Sequence, residues 1–313
     1  MDRVIKKLPI PIVGLMLALG ALGNLIGSYG KTYRNIFGCI SGLIFILVVI
    51  KIFKETEGVK KALNNPVVMT VFPTFSMGAM ILSTYVKAYF PSVGHSMWVL
   101  AIILHIGLIV YVTKKYIFNF NIKKIFPSYF VVYVGIVVGS VTAPLYNAFN
   151  IGEILFWFGF ISYLILLPII VYRVIKVKEI PKPALPTITI FAAPASLCLA
   201  GYLSTFKDIN LAIVYFLTFL SLTMLSIVLI YMPKMLKLKF YPSYSAFTFP
   251  IVISAIAIKK TNGFLIGINK EISLLKTIVK FEELLAIGFV LYVLFKYISF
   301  LLESKRIESV KKV

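Results

Sequence analysis

Few of the side chains that carry reactivity occur in this chain, and those few do not converge. The sequence holds two histidines, two cysteines and 11 acidic residues in 313. Hydrolysis, nucleophilic transfer or metal catalysis needs a converging set such as paired aspartates, a His-Glu-x-x-His run or a nucleophile beside its base. No such spacing occurs, and Cys39 and Cys198 both fall inside apolar stretches, so neither a disulfide framework nor a thiolate cluster is expected. The reading is no catalytic residue, no metal site, no cofactor and no enzyme. What remains is ionic chemistry. The 32 Lys and Arg leave a formal net charge of +21, and Lys87, Lys207 and the Lys259-Lys260 pair stand at the ends of apolar stretches. There they can form an electropositive vestibule that concentrates anions at the mouth of a path.

Those residues need elements to position them, and composition says which kind. With 60% hydrophobic residues, 14% charged and a mean hydropathy of +0.98, the chain lies outside the range of water-soluble domains. Roughly 20 apolar residues in a helix cross a hydrocarbon core of roughly 30 Å, and a helix satisfies its backbone within the segment. Ten such helices are expected, over residues 9–28, 33–53, 66–87, 92–113, 127–147, 152–174, 185–206, 209–232, 242–261 and 277–302.

Proline opens the odd members, at Pro9, Pro66, Pro127, Pro186 and Pro242, with gaps of 57, 61, 59 and 56 residues. So even a spacing reads as a five-fold repeat of helix pairs, with hairpins over about 9–53, 66–113, 127–174, 185–232 and 242–302 of one transmembrane domain spanning 1–313. Five hairpins about an axis leave a central path lined by one helix from each pair. The links after the even helices are rich in lysine. By the positive-inside rule they face the cytoplasm, together with both termini. This places 23 of the 32 Lys and Arg inside a multi-pass protein of the cell membrane and nine outside. Cations that punctuate apolar spans form no stripe for nucleic acid, so the expected partner surface is the lipid bilayer.

The odd helices carry the small residues and internal prolines: Gly14, Ala18 and Gly20; Pro73, Ser76 and Gly78; Gly135, Gly139, Ser140 and Pro144; Pro194, Ala195 and Ser196; Pro250 and Ser254. Small residues let backbones approach, and an interior proline frees a carbonyl that must be satisfied by protein or by a water-filled cavity. Pro73, Pro194 and Pro250 lie seven or eight residues into their helices, which predicts matching kinks around the path. Gly14, Ala18 and Gly139 join them as expected lining positions. The odd helices hold no Asp or Glu, so a path between them has no fixed negative charge to attract a cation. Glu153, Glu282 and Glu283 fall near helix ends or on even helices, where a solvated or snorkelling position is expected. His95 and His105 read as packing or interfacial groups.

Several of these segments resemble the tellurite-resistance and dicarboxylate transporter family, which includes bacterial TehA proteins, the slow anion channels of plant guard cells and fungal malate permeases. Pro9-Ile10-Pro11-Ile12-Val13-Gly14-Leu15-Met16-Leu17-Ala18-Leu19 is similar to its opening P-x-P-x-x-G-L-x-L-G-L. Phe126-Pro127-Ser128 opens the fifth helix much as the family's P-S-x does, and Ala193-Pro194-Ala195-Ser196 resembles its A-P-A/P-A/S segment. Pro242-Ser243-Tyr244-Ser245-Ala246-Phe247-Thr248-Phe249-Pro250 resembles its P-x-W-W-A-F/Y-T/S-F-P/G segment.

The resemblance implies an all-helical fold of ten spans in a pseudo-five-fold ring, with odd helices lining a pore and a homotrimer of separate pores. It further implies a phenylalanine of the ninth helix that occludes the pore, which by position is Phe249. Ala18 for the usual glycine and Tyr244-Ser245 for the usual aromatic pair are departures that bear on pore width. Independently, Phe249 precedes Pro250 on a small-residue helix, and a hydrophobic constriction can gate a pore. The expected function is a channel for small anions such as chloride or nitrate. The alternative is a carrier for a dicarboxylate such as malate or an oxyanion such as tellurite.

Overall fold

In hydrocarbon every backbone N–H and C=O needs a partner within reach, and the chain meets this with helices throughout. The computed structural model describes residues 2–310, with side chains described from residue 4 to residue 302, and no strand occurs among the described residues. Among the described residues nine helices are long and apolar enough to cross a membrane. They are α1 (Ile12–Tyr29), α2 (Lys31–Lys54), α3 (Pro66–Lys87), α4 (Pro91–Ile117), α6 (Phe149–Val177), α7 (Lys182–Thr205), α8 (Leu211–Leu236), α9 (Pro242–Gly267) and α10 (Ser273–Leu302). Between α4 and α6 runs α5, which is in pieces: Tyr129–Tyr133, Val137–Thr142 and a 3-10 turn Ala143–Tyr146.

Burial sorts these helices into two rings. The odd long spans have 61–89% of their most apolar stretch buried, the even ones only 22–28%. Each odd helix packs on its even successor, and the odd ones also pack on each other: α1 on α3 and α9, α3 on α5, α5 on α7, and α7 on α9. That sequence of contacts closes a five-membered inner ring, with the even helices outside it. The outer helices are the more apolar, with mean hydropathy of 2.1–2.7 against 1.4–1.7 for α1, α3, α7 and α9. Lipid accepts bulky side chains on the outside, whereas close packing inside favours Gly, Ala and Ser.

Polar side chains serve the backbone where the helices start or bend. Asn65 Oδ1 accepts from Val67 N at 2.9 Å and caps α3, and Asn210 Oδ1 accepts from Ala212 N at 2.8 Å at the start of α8. The Lys-rich link after α2 contains an amphipathic helix, Thr56–Leu63, pinned by buried Val59. Several ends lie beyond the expected limits: α9 runs to Gly267 and not 261, α10 begins at Ser273 and not 277, and α4 is prolonged to Ile117 by a π-turn.

Two expectations are corrected. Residues 127–147 do not form one continuous helix: the chain turns at Val134-Gly135-Ile136, where Val137 N, Val138 N and Gly139 N donate to carbonyls three residues back. No proline marks this break; Gly135 does. Glu282 and Glu283 are also not solvated, since both are buried on the face of α10 that packs against α9.

Candidate functional site

The five inner helices share one peculiarity, a change of winding near the same level. Pro9-Ile10-Pro11 ahead of α1 forms a tight turn in which Ile12 N, Val13 N and Gly14 N donate to carbonyls three residues back. In α3 the helix Pro66–Val71 stops at Phe72-Pro73 and restarts at Thr74. In α7 a 3-10 stretch, Lys182–Ala192, turns into α-helix at Ala193-Pro194, and in α9 the 3-10 turn Pro242–Phe247 turns into α-helix at Phe249-Pro250. Proline fits these restarts because the first turn of a helix leaves its N–H groups unbonded anyway. Hydroxyls take up carbonyls beside the breaks: Thr74 Oγ1 donates to Val71 O at 2.8 Å, Ser196 Oγ to Ala192 O at 2.7 Å and Thr248 Oγ1 to Ser245 O at 2.6 Å.

These restarts converge on a central cavity of about 40 Å³, room for roughly three water molecules at about 10–15 Å³ each. Its wall draws on all five inner helices, through Gly14, Thr74, Gly135, Pro194, Phe249 and their neighbours, and none of the lining residues is charged. Thr74, Ala193 and Phe249 are each the first residue of a restarted α-helical segment. Their positive dipole ends therefore gather around the cavity, which favours a negative guest. Phe249 sits in this wall and is only 6% exposed.

The remaining expected lining positions divide. Gly14 lines the cavity, and a Cβ there would meet Ser245 Cβ and Oγ at 3.1 Å, so the glycine lets α1 approach α9. Ala18 and Pro73 are buried but absent from the cavity wall; Pro73 stands at the break between the two pieces of α3. Gly139 faces outward, where a Cβ would run into Leu155 of α6. It is a packing contact between the rings, and Gly135 lines the cavity in its place. The sequence shows both glycines on α5 but not its helical phase once broken, which is why they could not be told apart.

His105 ties two of the broken helices together from the outer ring. It is fully buried, with Nδ1 2.8 Å from Ser76 Oγ on α3 and Nε2 3.0 Å from Val132 O on α5. Ser76 Oγ also lies 2.8 Å from Pro73 O. The packing role expected for this histidine is thus a specific one, bracing the two breaks against each other.

A wider vestibule of about 410 Å³ opens at the C-terminal ends of the inner helices, lined in part by Asn24, Ser28, Thr84, Lys259 and Lys260. Arg34 of α2 braces its wall, donating from Nε to Asn24 Oδ1 at 2.9 Å and from a terminal nitrogen to Thr84 O at 3.3 Å. Lys259 uses all three of its donors: Nζ donates to Leu25 O at 3.0 Å, Ser28 Oγ at 2.8 Å and Glu283 Oε1 at 2.7 Å. Tyr29 OH donates to the other Glu283 oxygen at 2.7 Å. Lys259 is therefore neutralised within the wall, and the exposed lysine of the vestibule is Lys260. Lys87 and Lys207 are not in its lining; their ammonium groups stand 4.7 Å from the Tyr146 ring and 5.6 Å from the Phe149 ring. Sequence reading could not separate Lys259 from Lys260, because one helical step decides which of them meets α10.

Among the described residues no group of three or more His, Cys, Asp or Glu could hold a metal ion. A model of the voltage-dependent anion channel family matches residues 7–300 of the chain, from ahead of α1 to within two residues of the end of α10. No curated protein was found to match it.

Proposed function

The chain belongs to the voltage-dependent anion channel family, and from that premise we propose that it conducts small anions such as chloride or nitrate through the central path, with Phe249 as the gate. Passage of anions, by channel or by transporter, is what the family implies; the choice of ion and the gate are the reading offered here. The observation that carries it is the gathering of helix restarts around a cavity without a charged group. Dipole ends stabilise a passing anion without binding it tightly, and the absence of a carboxylate gives a cation nothing to pair with.

In this reading an anion is drawn to the vestibule by Lys260, loses water in the apolar constriction and passes when the Phe249 ring swings out of the path. Gly14, Gly135, Pro194 and Pro250 shape the constriction, and the break at Pro73 sets where α3 restarts. The protein sits in the cell membrane with both termini in the cytoplasm, as the lysine distribution favours. It forms a homotrimer with one path per protomer, as the family resemblance implies.

A second reading has support of its own. Broken helices around a midplane site also suit a carrier working by alternating access, here for malate or tellurite. Reconstitution into proteoliposomes separates the two. Flux linear in chloride, with a reversal potential set by the anion gradient, supports the channel. Saturable malate uptake without chloride current supports the carrier, and a reversal potential that follows the cation gradient contradicts both.

A further inference from the structure

Two surface grooves outside the central cavity differ in charge. One lies between α8 and α10, lined by Leu236, Phe281, Leu284, Gly288 and Tyr292 among others, and carries no charged group. Any acyl chain satisfies such a surface. The other, about 730 Å³, lies where the link helix Thr56–Leu63 meets the start of α3 and the end of α4. Its floor is apolar, with Met69, Phe72 and Leu108, and its rim is polar, with Lys60, Lys61, Asn64 and Tyr111. Lys115 closes the rim: its Nζ donates to Tyr111 OH at 3.1 Å and reaches Asn64 Oδ1 at 3.5 Å.

The link helix makes this arrangement through its own amphipathicity. Val59 is buried beneath it while Lys60 and Lys61 are exposed. Glu57 is the one acidic group in the lining, and its contact with Lys60 at 3.0 Å is between two well-exposed side chains. A pair this exposed is screened by water and weak, so it does not withdraw Lys60 from an incoming anion. Three ammonium groups against one carboxylate leave the rim with a surplus of two positive charges. The groove also lies at the Lys-rich end of the bundle, where the positive-inside rule places the anionic cytoplasmic leaflet.

We propose that this groove is a binding site for an anionic glycerophospholipid, its phosphate on Lys60, Lys61 and Lys115 and an acyl chain over Met69, Phe72 and Leu108. A free phosphate ion would use the rim and leave the floor bare. A neutral phospholipid would use the floor and gain little from the rim. An anionic lipid uses both, and it would brace the link helix against Met69 and Phe72, in the run of α3 that leads into the break at Pro73. The proposal is independent of which anion the central path conducts.

The test is native mass spectrometry of the purified full chain in detergent, titrated with phosphatidylglycerol and, separately, with phosphatidylcholine. The expected result is retention of phosphatidylglycerol adducts in preference to phosphatidylcholine. The K60Q/K61Q/K115Q variant should weaken phosphatidylglycerol binding by at least about tenfold, since each lysine near an anionic surface adds to the attraction. A control variant with Lys234, Lys237 and Lys239 replaced by Gln should keep the preference, and millimolar inorganic phosphate should not displace the lipid. Equal retention of the two lipids, an unchanged triple variant, an equal loss in the control or displacement by phosphate would each overturn the proposal.

Discussion

Lys259 of α9 and Glu283 of α10 meet at 2.7 Å across the boundary between the inner and outer rings. The carboxylate is almost fully enclosed, and the remaining bonds of the pair go to Leu25 O, Ser28 and Tyr29 at the end of α1. One ion pair therefore joins three helices at the vestibule and removes a positive charge from its wall.

Glu283→Gln should break this tie and leave Lys259 with only neutral partners. The expected loss is about 1–3 kcal/mol, less than the about 3–5 kcal/mol of a fully buried pair because the Lys259 side chain is one-third exposed. The readout is a lower thermal unfolding midpoint in detergent. Freed of its partner, Lys259 should also raise the anion current at low salt.

Lys260→Gln should act the other way and leave folding alone. It removes the exposed cation of the vestibule, so single-channel anion current at about 20 mM salt should fall a few-fold. The difference should close as ionic strength approaches about 1 M, where the screening length is about 3 Å. Lys207→Gln, outside the vestibule lining, should change neither value. A conductance curve against salt concentration checks all three.

His105→Ala should destabilise by about 2–4 kcal/mol, since it opens a cavity and takes the partners of Ser76 and Val132 away together. Ser76→Ala removes the hydroxyl's contacts with His105 and Pro73 O but leaves the imidazole on Val132 O and opens little space, and it should cost about 1–2 kcal/mol. Thermal unfolding of the two variants reads the order, and Ser76→Ala should be the milder.

Much of the architecture was legible before any coordinates. Pro66 and Pro242 are the first residues of inner helices and Pro9 and Pro127 stand just ahead of theirs, because the first helical turn is where a missing N–H costs least, whereas Pro186 lies inside the 3-10 stretch Lys182–Ala192 that opens α7. Pro73, Pro194 and Pro250 fall at or within two residues of a restart for the same reason. The break in α5 was not legible: it depends on Gly135 and on the bracing of Val132 O by His105, a contact from another hairpin. Glu283 looked solvated because its partner lies 24 residues away on a helix whose register no local pattern reveals. Gly135 and Gly139 were equal as letters, and only the packing of Leu155 assigns one to each side.

Gly139→Ala tests that division. Its Cβ would meet Leu155 of α6, so the variant should lose about 1–3 kcal/mol of stability to overpacking. The anion-to-cation permeability ratio of whatever folds should be unchanged. A shifted ratio would put Gly139 back on the path.

The central claim is that Phe249 closes the path through the inner ring. Macroscopic chloride or nitrate current through purified protein in planar bilayers, native chain against Phe249→Ala, measures it directly. Removing the ring from the cavity wall should raise anion current at least about tenfold, as expected of a hydrophobic constriction that is opened, while cation current stays small. Equal currents from a folded Phe249→Ala protein, or a rise carried equally by cations, would contradict the account.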